Sequence, residues 1–283
     1  MLRRYIADEP TSQLAIWARR FALFALAAAV LSIIIVRSGL LDIWPALATF
    51  AGALGLAVIA LLLALAAFVV IWKDGLDGMG YALSAIGIGL CLLAYPAYLG
   101  FKAYKLPWIY DITTDPVDPP RYEALARVRP RDANPSTYAG LYTAEQQRNA
   151  YPDIEPLDSD ATPQAAYDAS LAVVKKRKWS IVLERRPQPP SREGRIEAVA
   201  RSPIMGFRDD IVLRIRPGED GSRVDARSSS RYGSLDFGVN AARIQALIDD
   251  IDEAIGNQKP ERPALPLPAK KKSQSKSNQP ARR

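Results

Sequence analysis

The residues best equipped for chemistry are gathered in the second half of the chain. Arg201 and Ser202 precede a loop to Gly206 and Phe207, Asp209 and Asp210 follow it, and a run from Arg227 through Ser228, Ser229 and Ser230 to Arg231 comes next. Asp236, Asn240 and Arg243 lie shortly beyond. Arginines grip carboxylates or phosphates through paired N–H donors, and a neighbouring carboxylate or hydroxyl can orient the bound group. The set therefore predicts ligand-binding candidates at Arg201, Ser202, Asp209, Asp210, Arg227, Ser228, Ser230, Arg231, Asp236, Asn240 and Arg243. A hydrolytic use of Asp209, Asp210 or Asp111 with the Arg/Ser cluster is the catalytic rival. The plainer reading puts Arg201, Arg214, Arg227 and Arg231 on the outer face of a sheet, paired across strands with Glu184, Glu197 and Asp225. Asp111 and Asp115 form a further acidic pair, although Asp115 before Pro116 also reads as a turn initiator.

Composition removes most other chemistry. The 283 residues include no His and one Cys. That excludes Ser-His-Asp and Cys-His catalysis, His-ligated zinc and haem, and any switch built on imidazole. Cys91 sits in an apolar run and has no partner for an intramolecular disulfide. Phosphate-cradling glycine loops, CxxC pairs, nucleophile elbows and HExxH helices are all missing. No metal or cofactor is expected, and binding is favoured over catalysis.

The elements that must position the cluster follow from periodicity. Thr162 is a good N-cap with Pro163 at the first helical position, and Ala166, Tyr167, Leu171 and Val174 give an apolar face to a helix expected to reach Lys178. The period then changes to two. Ile181 and Leu183 alternate with polar neighbours, as do Ile196, Ala198 and Ala200, then Ile211, Leu213 and Ile215, then Val224 and Ala226. Four strands joined by short turns predict an antiparallel meander. Ser228 and Ser230 continue the inward parity of the last strand, so hydroxyls replace methyls at one end of the core, as Ser202 does in an earlier strand. A final helix from Val239 to Gly256 puts Ile244, Leu247, Ile248, Ile251 and Ile255 on one face. The fold class is α+β, a two-layer domain over residues 161–258.

Residues 106–160 hold eight prolines and little apolar periodicity. They predict an extended segment that docks on the domain or serves as a stalk, with one short helix at Ala144–Asn149 opened by a Thr143/Gln146 capping box. Residues 259–283 combine five prolines with a lysine run and predict a disordered basic tail. Its Lys270, Lys271, Lys272, Lys276, Arg282 and Arg283 suit anionic lipid headgroups, or serve only solubility.

The first 105 residues differ entirely. Apolar runs at about 21–36, 43–72 and 79–101 are interrupted by charge only at Arg37, Asp42, Lys73, Asp74 and Asp77. About 20 apolar residues cross roughly 30 Å of hydrocarbon, so three transmembrane helices are predicted. A cleavable signal peptide competes for the first run, but two more spans follow and Val36-Arg37-Ser38 lacks a small-x-small cleavage pattern. Arg3, Arg4, Arg19, Arg20 and Lys73 fall on one side, against Arg37, Lys102 and Lys105 on the other. The bias places the N-terminus in the cytoplasm and the C-terminal domain in the periplasm of an inner membrane. Glycines 52, 55, 87 and 89 are expected at helix contacts, and helices two and three are a possible interface to a larger complex.

Net charge is +7, yet residues 106–258 carry −3 and the tail alone +7. The folded domain is therefore no nucleic-acid binder. Expected partners are the bilayer, anionic lipid through the tail, and an unidentified protein.

Four motifs in order, Asp111–Pro116, Tyr151–Leu157, Ala200–Asp210 and Arg227–Gly233, followed by Asp236, Asn240 and Arg243, resemble the bacterial family called domain of unknown function 1499. The resemblance covers about Pro107 to Gly256. It implies a multi-span membrane segment ahead of the domain, as members often have, and a polar constellation that matters as a unit. The family has no established activity, cofactor or catalytic residues to transfer.

Overall fold

The structure is a computed structural model and describes residues 10–39, 42–189 and 191–258. The basic tail, Arg3 and Arg4 lie outside the described residues. Three long helices come first: α1 (Gln13–Ser38), α2 (Ile43–Asp74) and α3 (Met79–Lys105). At about 1.5 Å per residue each is long enough, and apolar enough, to cross a membrane. α1 starts two turns before Phe21, taking in the backward extension through Leu14 to Ala18 that the sequence allows, because Ser12 caps it by accepting from the Ala15 N–H and because Arg19 and Arg20 face outward. Both lie over aromatic rings, of Tyr81 and Trp17 respectively.

Alanine, not glycine, makes the helix contacts. Ala18 and Ala22 of α1 meet Ala60 and Ala64 of α2 and Ala85 of α3, and Ala15 meets Ala67 and Ala82. Of the four glycines expected at contacts, only Gly89 lies against a neighbouring helix, with the Ala57 carbonyl 3.5 Å from the position of a Cβ. Gly52, Gly55 and Gly87 face open space. Small side chains let backbones approach closely, and a three- and four-residue spacing of Ala gives that without the helix-entropy cost of Gly.

Beyond α3 the chain builds an antiparallel sheet. β3 (Ser180–Arg185), β4 (Gly194–Arg201), β5 (Arg208–Pro217) and β6 (Ser222–Ser230) form the meander, as the alternation predicts. Two three-residue strands from the Pro-rich segment extend it. β1 (Asp111–Thr113) and β2 (Leu157–Ser159) pair one after the other with the outer edge of β6. The new edge at β1 is closed by a side chain: Gln147 donates from Nε2 to the Thr113 carbonyl (2.7 Å) and accepts the Thr113 N–H at Oε1 (3.0 Å). One amide thus stands in for a strand where an open edge would invite pairing with another chain.

Two helices cover one sheet face. α6 (Pro163–Lys176) and α7 (Val239–Gln258) lay Tyr167, Val174, Ile244, Leu247 and Ile251 on Ile196, Ile211, Leu213, Ile215 and Val224. Thr162 caps α6 by accepting from the Ala165 N–H, and the helix stops at Lys176 rather than Lys178, where φ is +56°. The Pro-rich segment covers the other face with α4 (Ala124–Val128) and irregular chain, while α5 (Leu141–Ala150) flanks the β1 edge through Gln147. α5 begins three residues earlier than the expected helix and its N-cap is Gly140, so Thr143 lies buried inside it and no capping box forms.

Candidate functional site

β5 and β6 position the polar residues, and strand alternation divides them between the two faces. Asp209 points to the helix side and Asp210, the next residue, to the opposite side, so the two carboxylates do not act as a pair.

On the helix side, Asp236 opens α7 by accepting the Gly238 N–H at one oxygen (2.8 Å) and the Asn240 N–H at the other (2.9 Å). Burial nonetheless pushes its carboxyl up, against the pull of those two donors. Asn240 is wholly buried and donates to the Tyr110 carbonyl (3.0 Å) and to Ser230 Oγ (2.9 Å). Ser228 Oγ donates to Asn240 Oδ1 (2.7 Å) and accepts from Arg243 Nη1 (2.9 Å). Arg243 also donates to Asn240 Oδ1 and, at 2.6 Å, to Asp209 Oδ2. The inward hydroxyls are thus paired with α7, whose Asn240 and Arg243 fall three residues apart on its buried stripe.

On the opposite side, Asp210 lies between two guanidinium groups. Arg129 Nε donates to Oδ2 (2.9 Å) and Arg231 Nε to Oδ1 (2.8 Å). Further along β6, Arg227 makes a two-point contact with Asp111 on β1, at 2.9 and 2.6 Å. It also donates to the carbonyls of Pro120 and Ser136, and the rings of Tyr122 and Tyr138 lie 4.6 and 5.6 Å from its guanidinium carbon. Burial works against the Arg227 charge, but Asp111 outweighs it and holds the guanidinium above its ordinary pKa. Burial pushes the Asp111 carboxyl up while Arg227 pulls it down, and pushes the Tyr138 phenol up to about 12. Arg214 pairs with Asp225 across the strands (2.9 Å) and reaches Asp118 (2.7 Å). Asp115 turns the chain by accepting the Val117 and Asp118 N–H groups, as its place before Pro116 suggests.

The cross-strand pairing expected from alternation therefore holds for Arg214 and Asp225 alone. Arg227 and Arg231 take Asp111 and Asp210, Glu184 pairs with Lys175, and Glu197 accepts the backbone N–H groups of Glu123 (2.6 Å) and Leu125 (2.8 Å) at the start of α4. Ser202 stands outside the core: its Oγ accepts the Phe207 N–H and closes the β4–β5 loop. Arg201 is exposed beside that loop. Arg129 and Gln147 were not singled out by the sequence, and Glu197 was expected to meet an arginine rather than the backbone of α4. Each acts on a partner more than 30 residues away, and no local pattern marks it.

The loop also joins the domain to the helices. Arg37, at the end of α1, donates to the carbonyls of Pro203 (2.6 Å) and Ile204 (3.1 Å). Gly206, at φ +75°, permits this approach, since a Cβ there would sit 2.9 Å from Arg37 Cγ. Trp44 of α2 meets Tyr232 edge-on at 6.4 Å. Among the described residues no group of His, Cys, Asp and Glu is arranged to hold a metal ion.

Fold and site together define a small α+β domain carried behind three apolar helices, with a polar network sealed into both faces of its sheet. The profile of the family described as protein of unknown function (DUF1499) matches residues 111–251, and through this domain the chain belongs to that family. The match starts at β1, so it takes in the Pro-rich cover as well as the meander. No curated protein matches the chain.

Proposed function

We propose that the chain is an integral inner-membrane protein that displays its α+β domain on the periplasmic side as a non-catalytic module, binding a protein partner or an anionic envelope component. One observation carries the non-catalytic part: the carboxylates of the constellation are taken up by arginines or by backbone N–H groups. Asp209, Asp210 and Asp111 each hold an arginine at 2.6 to 2.9 Å. A hydrolytic reading needs a serine hydroxyl on a carboxylate, whereas Ser228 donates to Asn240 and Ser230 accepts from it. Placement rests on charge: five Lys or Arg flank the spans on the N-terminal side and three on the other.

Paired fusions test the placement. A C-terminal alkaline phosphatase should be active and a C-terminal green fluorescent protein dark, with the protein resisting carbonate extraction. The reverse reporter pattern would put the domain in the cytoplasm and overturn the reading.

A further inference from the structure

The seam between the domain and the helices holds the charges that the network leaves over. Arg201 and Arg208 face each other directly across the β4–β5 hairpin, both exposed, and neither forms an ion pair with a described residue. Like charges in that position repel, and nothing in the hairpin offsets the cost. Arg208 lines a cavity of 190 Å³ whose floor is the end of α1 and the start of α2, at Val36, Gly39 and Ile43. Two carboxylates line it as well. Asp42 precedes α2 without making a cap bond, and Asp132 accepts only a 3.5 Å contact from the Tyr232 hydroxyl.

We propose that this crevice binds the headgroup of a zwitterionic aminophospholipid, with its phosphate against Arg208 and its primary ammonium against Asp42 and Asp132. Three features select that occupant. Arg208, Asp42 and Asp132 line the same cavity, and this mixture of charge suits a phosphate joined to an ammonium better than a purely anionic group. The cavity takes a headgroup and no more, so acyl chains stay outside along α1 and α2. Trp44 and Tyr232 mark the level at which interfacial aromatics meet headgroups. A quaternary ammonium lacks the N–H donors that the two carboxylates would accept, and a glycerol headgroup lacks the charge.

The inference rests on the proposed membrane placement of the helices, and the two can fail separately. Reporter fusions decide which side the domain occupies whatever lipid binds, and a comparison of lipid classes decides the crevice whichever side it faces. The full chain, delipidated in detergent, would be offered phosphatidylethanolamine, phosphatidylglycerol or phosphatidylcholine, and retention read by native mass spectrometry and thermal shift. Phosphatidylethanolamine should be retained best. Arg208→Gln should weaken that retention roughly tenfold, the size of one charge-assisted hydrogen bond. Asp132→Asn should erase the preference over phosphatidylglycerol without unfolding the exposed seam. Soluble phosphoethanolamine should give no comparable shift, because the apolar helix faces then contribute nothing. Equal retention of the three lipids, an unchanged Arg208→Gln protein, or equal binding of the soluble headgroup would each overturn the proposal.

Discussion

The two faces of the sheet are sealed by different physics. Under α6 and α7 the contact is apolar except at the end held by Asp209 and Arg243, with Leu213, Ile215, Leu247 and Ile251 almost fully buried. Under the Pro-rich cover it is ionic, and Arg227 is 1 % exposed with Asp111 as its counter-charge. Apolar burial is tolerant of geometry and contributes in proportion to area. A buried ion pair contributes little net stability but is costly to break, because the surviving charge stays in low dielectric. The helix face therefore supplies folding free energy, and the arginine face dictates how an otherwise irregular segment must lie.

Four outcomes would break or sharpen this contrast. Removing a counter-charge should cost most: Asp111→Ala strands Arg227 and should destabilise the domain by about 3–5 kcal/mol in denaturant unfolding. A double Asp111→Ala, Arg227→Met variant should recover much of that loss, since an apolar pair leaves no unpaired charge. On the helix face, Leu247→Ala should cost about 2–5 kcal/mol with no such rescue by a second truncation at Leu213. If the ionic face also failed to be rescued, packing rather than charge would govern both. Asn240→Ala should cost about 1–3 kcal/mol by leaving Ser228, Ser230 and Arg243 short of partners.

The smallest effect is pH dependence, in which Asp115 of the Pro-rich cover and Asp236 at the start of α7 oppose each other. Asp115 is held below its ordinary pKa: burial pushes it up, but the Val117 and Asp118 N–H groups together with Arg214 and Arg216 outweigh that. Its contribution is present above the unfolded value of about 3.9 and lost as pH falls through the lowered one. Asp236 is raised by burial, so its contribution is present below the unfolded value and lost as pH rises through the raised one. Asp115→Asn should accordingly flatten the acid limb of a stability profile, and Asp236→Asn should remove a decline on the other side of it. Identical profiles for the two variants would contradict the assignment.

What could be read from the residues alone follows the same division. The apolar face was legible, because Ile244, Leu247 and Ile251 repeat at helical spacing and Ile211, Leu213 and Ile215 alternate. The three apolar helices were legible for the same reason, though not their alanine seam. The ionic face was not. β1 and β2 are three residues each, below the length at which alternation carries information, and Arg227 finds Asp111 over a separation of 116 residues. Among the candidate residues, parity correctly placed Ser228 beside the core, while Ser202 followed its loop rather than its strand.

One consequence of the strand order concerns timing. The segment that pairs with residues 111–113 is residues 227–229, close to the C-terminal end of the domain. Until β6 exists, Asp111 has no guanidinium, β2 has no ladder, and the prolines between them have no surface to lie on. The domain is in this sense a ring fastened by its last-made strand. Folding is then an event of near-complete chains, and a nascent chain that ends before Ser222 should remain open to protease throughout residues 107–217.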